Sequence, residues 1–219
     1  YSLSEDGKTL TFIMKDNLKW HDGVSITADE VKWNIELALK VPTLMPIMKN
    51  TFKSIEGAES YIAGSASSVS GIKVNGNKLT LQFSKVDPNV LLTFSQFAPL
   101  PRKHVKDVDP TKFQQHPFWQ NPIGSGPYRV KEVQMNDYVV FTPFDDYHEG
   151  RARIDEIIAS PSNDNDANLV KNATAGRMDY GFTKNVADVK SLEAMSHMTV
   201  LPQNIPYTRM IWFQKFPKK

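Results

Sequence analysis

The chain has 219 residues, 40% of them apolar, and its 26 basic and 24 acidic side chains are interleaved for a formal charge of +2. That is enough apolar material for a real core, in one large domain or two small ones, and it leaves no basic stripe of the kind nucleic acid or an anionic membrane would need. With no cysteine in the sequence, disulfide frameworks, thiolate zinc sites and cysteine nucleophiles drop out together, and no window approaches the ~18 apolar residues of a membrane helix.

The first residues, YSLSEDGKTLTFIMKD, read as a turn leading into a strand with no start methionine ahead of it, so the chain is expected to be a piece of something longer. From Lys8 onward Leu10, Phe12 and Met14 alternate with Thr11, Ile13 and Lys15, the period of a strand, and Asp22-Gly23 marks the next turn. In TADEVKWNIELALK, Thr27 can cap a helix and Glu30 can reach back to the capping residue's amide. Ala28, Val31, Ile35, Ala38 and Leu39 then form one apolar face, Trp33 is expected to pack in the core, and Pro42 stops the helix. Residues 41–70 mix short helical pieces with a small-residue loop. GIKVNGNKLTLQF predicts a hairpin turning at Asn75-Gly76 and burying Leu79, Leu81 and Phe83.

An apolar segment follows from Pro88, and the prolines of APLPRKHV predict an extended path. PYRVKEVQMNDYVVFTPF reads as two antiparallel strands around Asn136-Asp137, and ARIDEIIAS as another strand. DANLVKNATAGRMDYGF reads as a helix followed by a strand, NVADVKSLEAM as a helix capped by Asn185, and YTRMIWFQKFPKK as strand-like to Phe213. Strands and helices mix without strict alternation, and the strands form two groups dividing near Phe118, so the expected class is α/β of mixed α+β character.

Three motifs invite chemistry. IGSGP (residues 123–127) lacks the glycine spacing of a phosphate loop and opens a strand instead of a helix; Ile123 and Pro127 stand where a nucleophile elbow around Ser125 needs glycine. The structural reading is a rigid crossover, with Gly124 and Gly126 supplying backbone angles that a side chain would forbid and Pro127 fixing φ. His21-Asp22 reads as a solvated turn, because His104, His116, His148 and His197 offer no ligand spacing. FDDYHEG (144–150) has three carboxylates but lacks the glycine and terminal glutamate of a calcium loop. No metal, cofactor or catalytic residue is expected, although the pairs Asp145 with Glu149 and Asp22 with Glu30 keep a carboxylate-dependent hydrolase as the competing class, requiring two carboxyls facing one pocket.

DGKTLTFIMKDNLKWHDGVSITADEVKW, IGSGPYRV, DYHEGRARIDEI, AGRMDYGF and YTRMIWFQKFP, in this order, resemble the extracellular solute-binding proteins of family 5, the oligopeptide, dipeptide and nickel receptors of ABC importers. The resemblance implies a lobe of a class II periplasmic-binding-protein-like fold, a mixed sheet with an inserted smaller α+β subdomain. Residues 1–118 would be that smaller subdomain and 119–219 part of the larger one leading to the hinge, the second lobe being absent. It implies capture of a peptide, or of nickel or another small solute, and delivery to ABC permease membrane subunits. The protein would be a non-enzymatic monomer, periplasmic or extracellular and anchored as a lipoprotein in its full-length form, with no nucleic-acid partner. On the family's pattern the cleft wall would come from Phe94, Ser95, Gln96, Phe97 and Ala98 before PLP, and from Tyr207, Thr208, Arg209, Ile211 and Trp212 near the hinge.

Overall fold

Thr27 starts the longest of the described helices: its backbone is extended (φ −116°, ψ 159°) and its hydroxyl accepts from the Glu30 amide at 3.2 Å, satisfying one of the amides a helix start leaves unpaired. The computed structural model, which describes residues 1–160 and 168–203, carries this helix, α1, over Ala28–Lys40. The Glu30 carboxylate does not return to the Thr27 amide. It accepts from the Trp20 indole N–H at 2.9 Å and from the Arg102 amide at 2.7 Å, so the predicted reciprocal cap gives way to a tertiary contact. Trp33 is half-buried beneath the Arg102 guanidinium, 5.4 Å from its ring centre, whereas Trp20 is packed away from water, at 2% exposure.

The apolar face of α1 lies against a four-stranded antiparallel sheet made of β1 (Ser2–Leu3), β2 (Thr9–Ile13), β3 (Ile72–Asn75) and β4 (Lys78–Gln82), in the order β1-β2-β4-β3. Leu10, Leu79, Leu81 and Ile72 face the helix and meet Val31, Ile35 and Leu39 in one core, closed at its end by Phe52, Ile55 and Phe83. Each of these large side chains stabilises the fold by roughly 1.5–3 kcal/mol on burial. The β3–β4 hairpin turns one residue later than its sequence suggests: Asn75 pairs with Lys78, and of the two central residues Gly76 has φ +59°. Asn77 is not among the positive-φ residues, so glycine leads the turn, the type II′ arrangement.

Between α1 and β3 the chain forms α2 (Pro46–Lys53) and α3 (Ala58–Ile62), and after β4 comes α4 (Val90–Ser95). Two buried threonines and a half-buried aspartate tie α2 to α4: the Thr51 hydroxyl donates to Asp87 at 2.5 Å and lies 3.0 Å from the Thr93 hydroxyl. The prolines keep Phe97–Pro101 irregular, but Arg102–Val105 closes a single helical turn, α5, where an extended path was expected. Two 3-10 turns follow, Pro110–Gln115 and Pro117–Gln120.

A second antiparallel sheet, ordered β5-β6-β7, comprises Tyr128–Gln134, Tyr138–Pro143 and Ile157–Ala159. Its third strand is shorter than the run ARIDEIIAS predicts, beginning only at Ile157; just ahead of it Arg151 pairs with Asp145 and Asp155. Residues Tyr1–Ser160 make one compact unit and the chain from Pro161 another. In the second, α6 (Leu169–Thr174) ends at Gly176, whose φ of +64° is the left-handed conformation glycine adopts most cheaply. Helix α7 (Val186–Glu193) starts on the Asn185 side chain, which accepts from the Ala187 amide at 2.9 Å. The strand expected over RMDYGF does not form, and Tyr180 is 88% exposed; no described strand lies in this unit to pair with it. The predicted strand Tyr207–Phe213 lies outside the described residues.

Candidate binding groove

One polar residue interrupts the apolar face of α1. Asn34 is 4% exposed, and its side chain is spent on backbone: Nδ2 donates to the Leu100 and Glu30 carbonyls at 2.9 Å each, and Oδ1 accepts from the Leu100 amide at 2.8 Å. Together with the Glu30 bond to the Arg102 amide, this pins the irregular segment after α4 along the helix. The pairing replaces the ladder that an extended segment lacks when no strand is beside it.

The pinned segment, the second half of α1, the loop leading into α2 and the two 3-10 turns enclose a groove of about 380 Å³. Leu37, Val41, Leu44, Met45 and Met48 form one side; Gln96, Phe97, Ala98 and Leu100 form the other, and Phe113, Gln114 and Trp119 border it. None of the lining residues is charged. Phe97 is held edge-on against Phe52, with ring centres 5.1 Å apart and planes at 84°. Trp119 is 42% exposed yet fixed, its indole N–H donating to the Phe113 carbonyl at 2.8 Å and its ring packed edge-on against Phe113 and Phe118.

Of the first predicted cluster, Gln96, Phe97 and Ala98 come together in this groove. Phe94 turns the other way, into the rings of Phe12 and Phe52, 5.3 and 5.5 Å off, and the Ser95 hydroxyl donates to the Leu92 carbonyl within α4 at 2.8 Å. Tyr207, Thr208, Arg209, Ile211 and Trp212 lie outside the described residues. The opposite side of the groove, from Leu37 to Met48, was not read from the sequence, since residues 41–48 carry no clear period. The one available signal was Asn34, a polar side chain on an apolar helical stripe, which calls for a partner.

The IGSGP crossover is held by His21. The His21 amide donates to the Gly124 carbonyl at 2.9 Å, its Nδ1 accepts from the Gly124 amide at 3.2 Å, and its Nε2 lies 3.0 Å from the Gly126 carbonyl. These partners require the neutral ring with its proton on Nε2. The ring also stands edge-on to Phe144, 5.0 Å away. Burial pushes the imidazole below its usual range; the Gly126 carbonyl opposes that and Arg129 adds to it. Two sequence expectations are corrected here. His21 is a half-buried latch and not a solvated residue, and neither Gly124 nor Gly126 has a φ in the left-handed region. Glycine is needed at position 124 for space, because a Cβ there would stand 3.2 Å from the His21 ring, while a Cβ at 126 would meet nothing.

The carboxylates that kept a hydrolase or a calcium site in view are each committed elsewhere. Asp145 pairs with Arg151, Asp146 with Lys19 and Glu149 with Lys15. Asp22 pairs with Lys103 and His104; burial works against its ionisation, but the bonds from His104, the Val24 amide and Lys103 outweigh it and hold its carboxyl below the usual range. No candidate pair shares a partner, and among the described residues no cluster of His, Asp and Glu is arranged to hold a metal ion.

Residues 1–215 match the model of the bacterial extracellular solute-binding proteins, family 5 (middle). The chain is 24% identical over 224 residues to the oligopeptide-binding protein OppA of Lactococcus lactis subsp. lactis (strain IL1403), covering 97% of this chain and 36% of that protein. It is 23% identical to the nickel-binding protein NikA of Staphylococcus aureus (strain NCTC 8325 / PS 47), covering 96% of this chain and 38% of the relative. The solved structure of lactococcal OppA, in its closed form with an endogenous peptide, superposes with a TM-score of 0.71 at 20% identity over 89% of this chain and 37% of the other. That likeness shows the fold, the mixed α/β lobe of a class II periplasmic-binding-protein-like architecture. The chain spans a little over a third of the length of these relatives. A match over all but the last few residues makes this chain a member of the bacterial extracellular solute-binding proteins, family 5.

Proposed function

We propose that the protein is part of the substrate-binding component of an ABC importer, capturing peptides between two lobes and delivering them to the membrane permease. The single observation that carries this reading is the uncharged groove beside the pinned segment Gln96–Leu100, an open apolar recess on a lobe of family 5 fold. We assign residues 1–118 to the smaller subdomain and 119–219 to part of the larger one, a division drawn inside the compact unit Tyr1–Ser160; what supports it is that the four-stranded sheet lies wholly within residues 2–82 and the three-stranded sheet within 128–159. Gln96, Phe97 and Ala98, with Phe94 and Ser95 in the helix that leads into them, are proposed as solute-binding residues; Tyr207, Thr208, Arg209, Ile211 and Trp212 are proposed as further solute-binding residues.

The mechanism is differential affinity. A solute that touches both lobes stabilises the closed state, and the permease reads the shifted population. Main-chain hydrogen bonds give a peptide affinity without dependence on its sequence, while pockets receive its side chains. No bond is made or broken, so no catalytic residue is assigned. Family membership places the protein outside the cytoplasm, in the periplasm or extracellular space; anchoring as a lipoprotein and a monomeric state complete the proposal.

Native mass spectrometry of the full-length mature protein, purified from its own host and compared with its denatured mass, tests the reading. A spread of releasable masses matching short peptides supports it. One discrete small mass or a metal transfers the assignment to the second reading, a receptor for nickel or another small solute, which is favoured by the similarity to the staphylococcal nickel-binding protein.

A further inference from the structure

We propose that Asn75 is a site of spontaneous covalent modification, losing its side-chain amide to give a mixture of aspartate and isoaspartate at the tip of the β3–β4 hairpin. It is the one asparagine in the chain followed by glycine, and the fold leaves both reacting groups open.

The reaction joins two groups of this turn. The Gly76 backbone nitrogen gives up its proton to water and attacks the Asn75 side-chain carbonyl carbon. The bond from that carbon to the side-chain nitrogen breaks, ammonia leaves, and a five-membered imide remains. Water then opens the ring at either carbonyl. Attack at the side-chain carbon restores the ordinary backbone as aspartate; attack at the main-chain carbon routes the backbone through the side chain as isoaspartate. In sum one water is consumed and one ammonia released, with nothing oxidised or reduced.

The Asn75 side chain is exposed and has no hydrogen-bond partner among the described residues. Gly76 stands outside the ladder, between the paired residues Asn75 and Lys78, and its amide donates to no backbone carbonyl there. A Cβ placed on Gly76 would meet nothing within 4 Å, so neither a side chain nor a neighbour covers the attacking nitrogen. Asn77 supplies the contrast: its Nδ2 donates to the Met14 carbonyl at 3.2 Å and to Asp16 at 3.4 Å, and a lysine follows it. The Asp-Gly pairs are held as well, Asp6 by the Ser4 hydroxyl and the Lys8 amide, Asp22 by His104 and Lys103, and a carboxylate resists attack better than an amide. Isoaspartate would put an additional carbon into the backbone of a two-residue turn. Lys78 pairs with Ile13, and the Asn77 carbonyl accepts from the Met14 amide at 2.8 Å. Lengthening the turn therefore loosens the end of β2, from which the chain runs on to Lys15 and His21.

The experiment ages the full-length mature protein, folded, for several weeks at pH 8 beside a sample held in urea, and follows both by tryptic mapping. Cleavage after Lys73 and Lys78 releases Val74–Lys78, a peptide that carries Asn75 and Asn77 together. In the folded protein Asn75 should convert about tenfold faster than Asn77 or more, a ratio that needs only a small difference in barrier, read as the mass gained when an amide becomes a carboxyl. Enzymatic methylation specific for isoaspartate should label the same peptide. Amide exchange at Met14 should accelerate in the isoaspartate form and stay near wild type in Asn75→Asp, which has the new charge without the longer backbone. Conversion at Asn75 no faster than at Asn77, or conversion in urea alone, overturns the site. Conversion without methylatable product, or Met14 exchange that rises equally in Asn75→Asp, overturns the rerouted backbone and the loosening drawn from it.

Discussion

Replacing Asn34 by alanine removes the group that holds Leu100 in place. Three hydrogen bonds are lost, and the Leu100 amide and carbonyl and the second acceptor, the Glu30 carbonyl, lose a side-chain partner 2.8–2.9 Å away. The Glu30 carbonyl keeps its place in the helix ladder, so the cost falls on Leu100. An abandoned buried polar group costs about 1–3 kcal/mol. Leu100 is only half-buried, so water partly relieves both of its groups, and the expected loss is about 2–4 kcal/mol. Asn34→Asp is the sharper test because it keeps the shape. Its carboxylate can still accept from the Leu100 amide, but it sets negative charge against two carbonyl oxygens. It should cost at least as much as alanine at pH 7 and recover relative to wild type by pH 5, because a protonated carboxyl can donate to one of those carbonyls. The sign follows from a folded pKa raised above the unfolded one, which makes the variant lose stability as pH rises through the carboxyl's range. Urea denaturation at both pH values, with amide exchange at Leu100 as the local readout, measures this. An alanine variant within 0.5 kcal/mol of wild type, or an aspartate variant that weakens relative to wild type on acidification, would refute the reasoning.

His21 should make the crossover acid-sensitive. Its folded pKa is held below the unfolded value, chiefly by burial, so its contribution is complete above the imidazole's ordinary range and is lost as pH falls through the depressed value. Protonation puts a proton on Nδ1, which then faces the Gly124 amide. Exchange of the amides around Gly124 should therefore accelerate between pH 7 and pH 5, after correction for intrinsic rates, and His21→Ala should abolish most of that pH dependence; an unchanged dependence in the variant contradicts the latch. Phe52, at 0% exposure, supports both the core and Phe97. Phe52→Ala should cost about 3–5 kcal/mol and loosen that side of the groove, and a midpoint shift in urea worth less than 1 kcal/mol would show that Phe97 is held by something else.

Local patterns were legible where one short-range rule decided the outcome. Thr27 and Asn185 cap helices as their side chains dictate, the 3.6-residue spacing of Val31, Ile35 and Leu39 picks the buried face, and alternation around Leu10, Leu79 and Leu81 picks the sheet face. The order of motifs was enough to identify the family. Long-range partners were not legible, because nothing in a local period says which backbone a side chain will meet. Glu30 had a local partner available and took Trp20 and Arg102 instead. His21 looked like a solvent-facing turn residue until Gly124 and Gly126 closed on its ring. RMDYGF had strand composition, but a strand needs a neighbour, and the second unit offers none among its described residues. The groove is the clearest case: Met45, Phe97 and Trp119 are far apart along the chain, and they share one recess because Asn34 ties Leu100 to α1. Composition and period decide which residues leave water, and only packing in three dimensions decides which of them meet.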